Sequence, residues 1–252
     1  MTIVENLIRF LDIALVLVVI HLGSFVSFKD VIPEWNYRGF GRFQNQWGRM
    51  FFTSGAISIV VAGLGYLRSD YNVFVALILG ILAYVLSFSS WTDLYTRLAP
   101  REVINLGFYL IIPIALTGLI LGQQNSVAIP ADQMLFFSSA TGDAWLQLGL
   151  FTLLPTIIFI FLSRGIGFAD IKAMWLLGFG LAWWVGIGHL IWFLLAASVL
   201  QLLVSIPAKK LGWGEYKPQP KSLFNPKGKD RLALPFLPAL SVAFILGTLI
   251  LL

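Results

Sequence analysis

The chain has 252 residues, 58% of them hydrophobic and 12% charged, with a formal net charge of +5 and no cysteine. That charge density is about half that of an ordinary soluble domain, and the lack of cysteine excludes a disulfide scaffold or a cysteine zinc module. Apolar runs of about 20 residues exclude alternating barrel strands and predict an all-α, polytopic transmembrane helix bundle.

The predicted spans, in chain order, are Leu7–Phe28, Met50–Leu67, Val73–Trp91, Val103–Gly122 and Ala144–Ser163. The stretch Ile171–Ile206 follows, and the last span is Leu232–Leu252. No small-residue cleavage site follows the first span, which therefore reads as a retained helix. Ile171–Ile206 as a single helix would be about 54 Å long, against a hydrocarbon core of about 30 Å. It must turn back, and Trp183-Trp184-Val185-Gly186-Ile187-Gly188 is the expected break. The count becomes eight spans, and residues 1–252 read as one membrane-embedded domain with no repeat.

Loop charge orients the bundle. One side receives Lys29, Arg38, Arg42, Arg49, Arg97, Arg101, Arg164 and all seven Lys and Arg from Lys209 to Arg231. The other side holds only Arg68, while Arg9 and Lys172 fall within spans. Lys and Arg mark the cytoplasmic face, so both termini are expected outside. The basic excess is thereby explained by topology, with no nucleic-acid partner. Segment 207–231, rich in Pro, Gly and Lys, reads as a solvated cytoplasmic loop attracted to anionic lipid of the bilayer.

Most ionisable residues have plain roles. Glu5, Arg9 and Asp12 can pair along one helix face. Eight further acids, from Asp30 to Asp230, fall in loops. His21 and His189 lie in separate spans without metal-ligand companions and read as helix-packing residues. No Gly-x-Ser-x-Gly or Ser/Lys pairing points to serine chemistry.

Two acids remain. Asp93 follows the third span in Trp91-Thr92-Asp93-Leu94, and Asp170 opens the sixth in Gly165-Ile166-Gly167-Phe168-Ala169-Asp170-Ile171-Lys172. The topology sets both at the cytoplasmic boundary, where paired carboxylates can share a proton. One then activates water while the other protonates the scissile group. Asp170 lies at a helix N-terminus, whose dipole favours its ionised form, making it the expected base. Gly165 and Gly167 would admit a close substrate backbone. Lys172 points to a different helix face, as a snorkelling anchor or an electrostatic neighbour of the site. The plainer alternative makes both acids interfacial, Asp170 capping a helix and Asp93 pairing with Arg97.

These residues resemble the type IV prepilin peptidases, membrane aspartyl proteases with a G-x-G-D motif. Gly165 to Lys172 is similar to the family's G-x-G-x-G-D-[VI]-K, and Asp93 to Pro100 to its D-L-x-x-x-x-[IL]-P, with Ala99 in place of Ile or Leu. Pro235-Phe236-Leu237-Pro238 and Gly23-Ser24-Phe25 resemble two further family segments. Two departures stand out. Ala169 replaces the second motif glycine, and the cysteine pairs of many bacterial members are missing from the short loop 29–49. The resemblance implies a metal-independent endopeptidase without cofactor, cutting the leader from a prepilin or pseudopilin precursor at the cytoplasmic face. Asp93 and Asp170 would be catalytic, with Gly165, Gly167, Ala169 and Lys172 around the substrate approach. The alternatives are a catalytically inactive relative and a transporter or membrane scaffold with structural acids.

Overall fold

A computed structural model describes residues 3–29, 47–96, 101–120, 149, 152–157, 168–181, 187–210, 215–217, 231–233 and 236–250. The helices are α1 (Ile3–Lys29), α2 (Trp47–Arg68), α3 (Val73–Thr96), α4 (Arg101–Ile120), α5 (Phe168–Leu181), α6 (Ile187–Lys210) and α7 (Leu237–Ile250). Three helical stretches, Ile3–Ser27, Gly48–Arg68 and Val73–Leu94, are long and apolar enough to cross a membrane. The fold is thus a helical membrane bundle.

Three expected boundaries are corrected. The third span does not stop at Trp91: its helix runs on to Thr96 and carries Asp93. The last helix begins at Leu237 rather than Leu232. Segment 207–231 is not simply a loop, because α6 continues to Lys210 and β1 (Glu215–Lys217) pairs antiparallel with β2 (Arg231–Ala233). Of the expected break in Ile171–Ile206, residues 183–186 lie outside the described residues, while Ile187 and Gly188 already belong to α6, and α5 ends at Leu181.

Helix α3 is the centre of the bundle. Every residue from 78 to 90 is buried, and α3 packs against α1, α2, α4, α5 and α7. The turn from α2 into α3 is tight, with Asp70 and Tyr71 at φ values of 50° and 65°, a region L side chains seldom adopt. The Asn72 side chain then caps α3, accepting from the backbone N–H groups of Phe74 and Val75 at 2.9 and 3.2 Å.

Contacts fix the direction of each helix. Phe25 meets Phe51 and Phe10 meets Tyr66, so α1 and α2 are antiparallel. Gly80, which leaves room for Leu17, and the ring contact of His21 with Tyr84 set α1 parallel to α3. Ser90 Oγ donates to Leu237 O at 3.0 Å, and Arg68 donates to Thr248 O at 3.4 Å, making α7 antiparallel to α3. Phe193 packs edge-on against Phe244, which sets the start of α6 beside the end of α7. One end of the bundle therefore gathers the C-termini of α1, α3 and α6 with the N-termini of α2, α4 and α7.

Candidate active site

The register of α4 and α5 follows from two glycines. A Cβ on Gly107 would lie 2.6 Å from Leu176 Cδ2 and 3.2 Å from Val85 Cγ2. One on Gly180 would lie 3.0 Å from Leu82 Cδ1, 3.2 Å from Ile78 Cγ2 and 3.5 Å from Ile111 Cγ2. Positions 85, 107 and 176 thus share one level, and 82, 111 and 180 the next. Helix α5 runs parallel to α4 and antiparallel to α3.

That register brings the two aspartates to one end. Asp93 stands eight residues past Val85, about 12 Å along α3, and Asp170 stands six residues before Leu176, about 9 Å along α5. Their levels differ by only about 3 Å on packed neighbouring helices, whose axes are typically about 8–10 Å apart.

Asp93 is 8% exposed, within the last turn of its helix. The polar residues before it do not break that helix, because their hydroxyls bond back to its own carbonyls. Ser87 Oγ donates to Ala83 O, Ser90 Oγ to Leu86 O and Thr92 Oγ1 to Ser89 O. Ser90 shares its one proton between Leu86 O and Leu237 O, tying the start of α7 beside Asp93. Ser89 Oγ is buried with no hydrogen-bond partner. Sequence reasoning missed this hydroxyl run. Its signal is the cluster Ser87, Ser89, Ser90 and Thr92 leading into Asp93 at the end of an apolar span.

Asp170 lies in the first turn of α5 and is partly buried, as are Ala169 and Lys172. Ala169 packs against the core, and Ile171 and Ala173 beside it are fully buried. Gly165, Gly167 and Arg97 lie outside the described residues. Of the Pro235–Pro238 segment, Phe236 to Pro238 are described, and Leu237 stands at the aspartate end beside Ser90. The Gly23-Ser24-Phe25 residues serve packing at that end: Ser24 faces Tyr84, and the Phe25 ring lies tilted against Phe51 with ring centroids 4.8 Å apart.

A second polar group lies deeper. Ser24 Oγ donates to His21 O at 2.8 Å, and with its one proton so used it accepts from Tyr84 OH at 2.8 Å. The His21 ring lies 4.3 Å from that of Tyr84, beside the space left by Gly55. The packing role expected for His21 is observed, but its Nε2 is buried with no hydrogen-bond partner. The side chain of His189 lies outside the described residues. Among the described residues, no three His, Asp or Glu side chains gather as metal ligands.

Comparison of the chain with protein-family models, curated proteins and solved structures finds no match. The class defined by the fold is that of a helical membrane protein.

Proposed function

We propose that the chain is a membrane aspartyl endopeptidase that removes the leader of prepilin or pseudopilin precursors at the cytoplasmic face. The observation that carries this reading is the common level of Asp93 and Asp170 on two packed antiparallel helices. Carboxylates so arranged can divide the work of hydrolysis, one taking a proton from water and the other giving one to the peptide. Asp170 sits at the N-terminal end of α5, where the helix dipole supports an anion, and acts as the base. Asp93, at the C-terminal end of α3, acts as the acid. No metal or cofactor is needed in this scheme.

The topology that goes with it has eight spans and both termini outside. The alternating directions of the described helices support it. Helix α4 leaves the aspartate end and α5 starts there again, which leaves one return crossing for the span expected at Ala144–Ser163. Helical residues 152–157 fit that crossing, with Trp175 Nε1–H donating to Thr156 Oγ1 at 3.2 Å.

The inactive-relative reading stays open on one observation: Ala169 stands where the motif has glycine. The test is co-expression with candidate prepilins, reading leader loss on a gel. Conversion of a precursor to its shorter form supports a working peptidase. Intact precursors across a broad panel, at normal abundance of the chain, overturn it.

A further inference from the structure

Three members of the hydroxyl run in α3, Ser87, Ser90 and Thr92, donate to carbonyls of their own helix. Ser89 is the exception. It is 1% exposed, and its Oγ has no hydrogen-bond partner. A buried hydroxyl left unpaired is destabilising, and in a native structure it calls for an explanation. Small size alone does not supply one. Alanine would fill the position without a polar atom, as Ala76 and Ala83 do earlier in the same helix.

The surroundings of Ser89 narrow its role. Ile78, Leu82 and Val85 are the α3 side chains that meet the Gly180 and Gly107 positions, and Ser89 continues their line at steps of four, three and four. It therefore faces α4 and α5. Extending the register of Leu82 with Gly180 and of Val85 with Gly107 sets Ser89 level with Ala173 of α5 and Val103 of α4, both fully buried. Neither side chain can form a hydrogen bond. The next residue on the same line, four further on, is Asp93. Residues four apart are neighbours on a helix face. Helical side chains also lean over the turn that precedes their own Cα, so the Asp93 carboxyl leans toward Ser89.

We infer that Ser89 is a positioning residue for Asp93, an inference that rests on the peptidase reading above. In the reacting complex its hydroxyl donates to one carboxyl oxygen of Asp93. The other oxygen, which carries the proton to be given up, is thereby turned toward α5 and Asp170. Hydrogen bonds of a catalytic site often close only when substrate is bound. The hydroxyl is kept at the expense of stability and used in the reaction.

Stability and catalysis should therefore move apart at this residue. In mixed micelles Ser89→Ala should unfold at or above the parent midpoint, because it removes an unpaired polar atom. Ser90→Ala, which loses the bond to Leu237, should unfold earlier. In leader cleavage, Ser89→Ala and Ser89→Val should each lower kcat about tenfold, the worth of one hydrogen bond to a carboxyl group. KM should stay within about twofold of the parent. Ser89→Thr has the shape of the Val variant but keeps the hydroxyl, and should retain at least about half of kcat. Equal losses in the Thr and Val variants would make the position a packing site and overturn the inference. So would a Ser89→Ala as destabilised as Ser90→Ala. Asp93→Asn separates the two readings. If it cleaves like the parent, or the parent cleaves nothing, the peptidase reading falls and the inference with it. If Asp93→Asn is dead while Ser89→Val cleaves like the parent, the inference alone falls.

Discussion

Helices α1 and α3 have nearly equal mean hydropathy, 2.2 and 2.3 over their most apolar windows, yet those windows are 22% and 83% buried. Hydrophobicity therefore does not tell a central helix from a peripheral one when the solvent is lipid. The difference lies in small and hydroxyl residues. Helix α3 carries Ala76, Gly80, Ala83, Ser87, Ser89 and Ser90, small residues that let neighbours approach, and Ser90 adds a hydrogen bond to α7. The outer face of α1 carries Leu and Val instead. Centrality in this bundle is written in small side chains.

The sharpest way to break the contrast is at the end of α3. Asp93→Asn and Asp170→Asn should each abolish leader cleavage while leaving abundance in the membrane unchanged, because a catalytic pair acts as a unit. Cleavage above about a tenth of the parent rate in either variant would show that the central helix does not carry the chemistry.

Packing comes next in size. Gly107→Leu pushes a side chain onto buried Leu176 and Val85 and should destabilise the bundle by about 1–3 kcal/mol. Leu11→Ala, on the exposed face of α1, should stay within about 0.5 kcal/mol. Unfolding in mixed detergent micelles compares them. Similar losses would erase the distinction between centre and rim.

The smallest expected effect is at Ala169. Ala169→Gly should preserve or modestly raise cleavage, since glycine only relaxes the backbone there. Ala169→Val should lower it, because a β-branched side chain beside Asp170 is stiff and crowds the approach. Equal activity of the Val and Ala forms at matched expression would rule out a tight approach at this position.

Much of this architecture was legible in the sequence. That Ile171–Ile206 is not one helix followed from length alone, since a single helix through Ile206 would overshoot the bilayer, and the described helices end at Leu181 and begin again at Ile187. The sharing of one end by Asp93 and Asp170 followed from alternating spans and loop charge. The extent of α3 did not. A hydropathy window ends near Trp91 because Thr92 and Asp93 count as polar, whereas the helix continues with its hydroxyls bonded to its own carbonyls. The ribbon was hidden for another reason. Its strands are three residues each and exist only through pairing across the intervening chain, which leaves no periodic trace. The central place of α3 depends on which faces meet, and apolar spans of similar hydropathy do not record that.

The bond from Ser90 to Leu237 spans 147 positions of sequence. It gives the assembly an order in time. As the chain is made, α3 and its aspartate enter the membrane while the helix that will cover that side has not yet been synthesised. Helix α7 is the last of the described helices to emerge. The side of α3 next to Ser90 thus stays uncovered by α7 until the chain has been made through Leu237, 147 residues further on, so the candidate site closes well after α3 itself is in place.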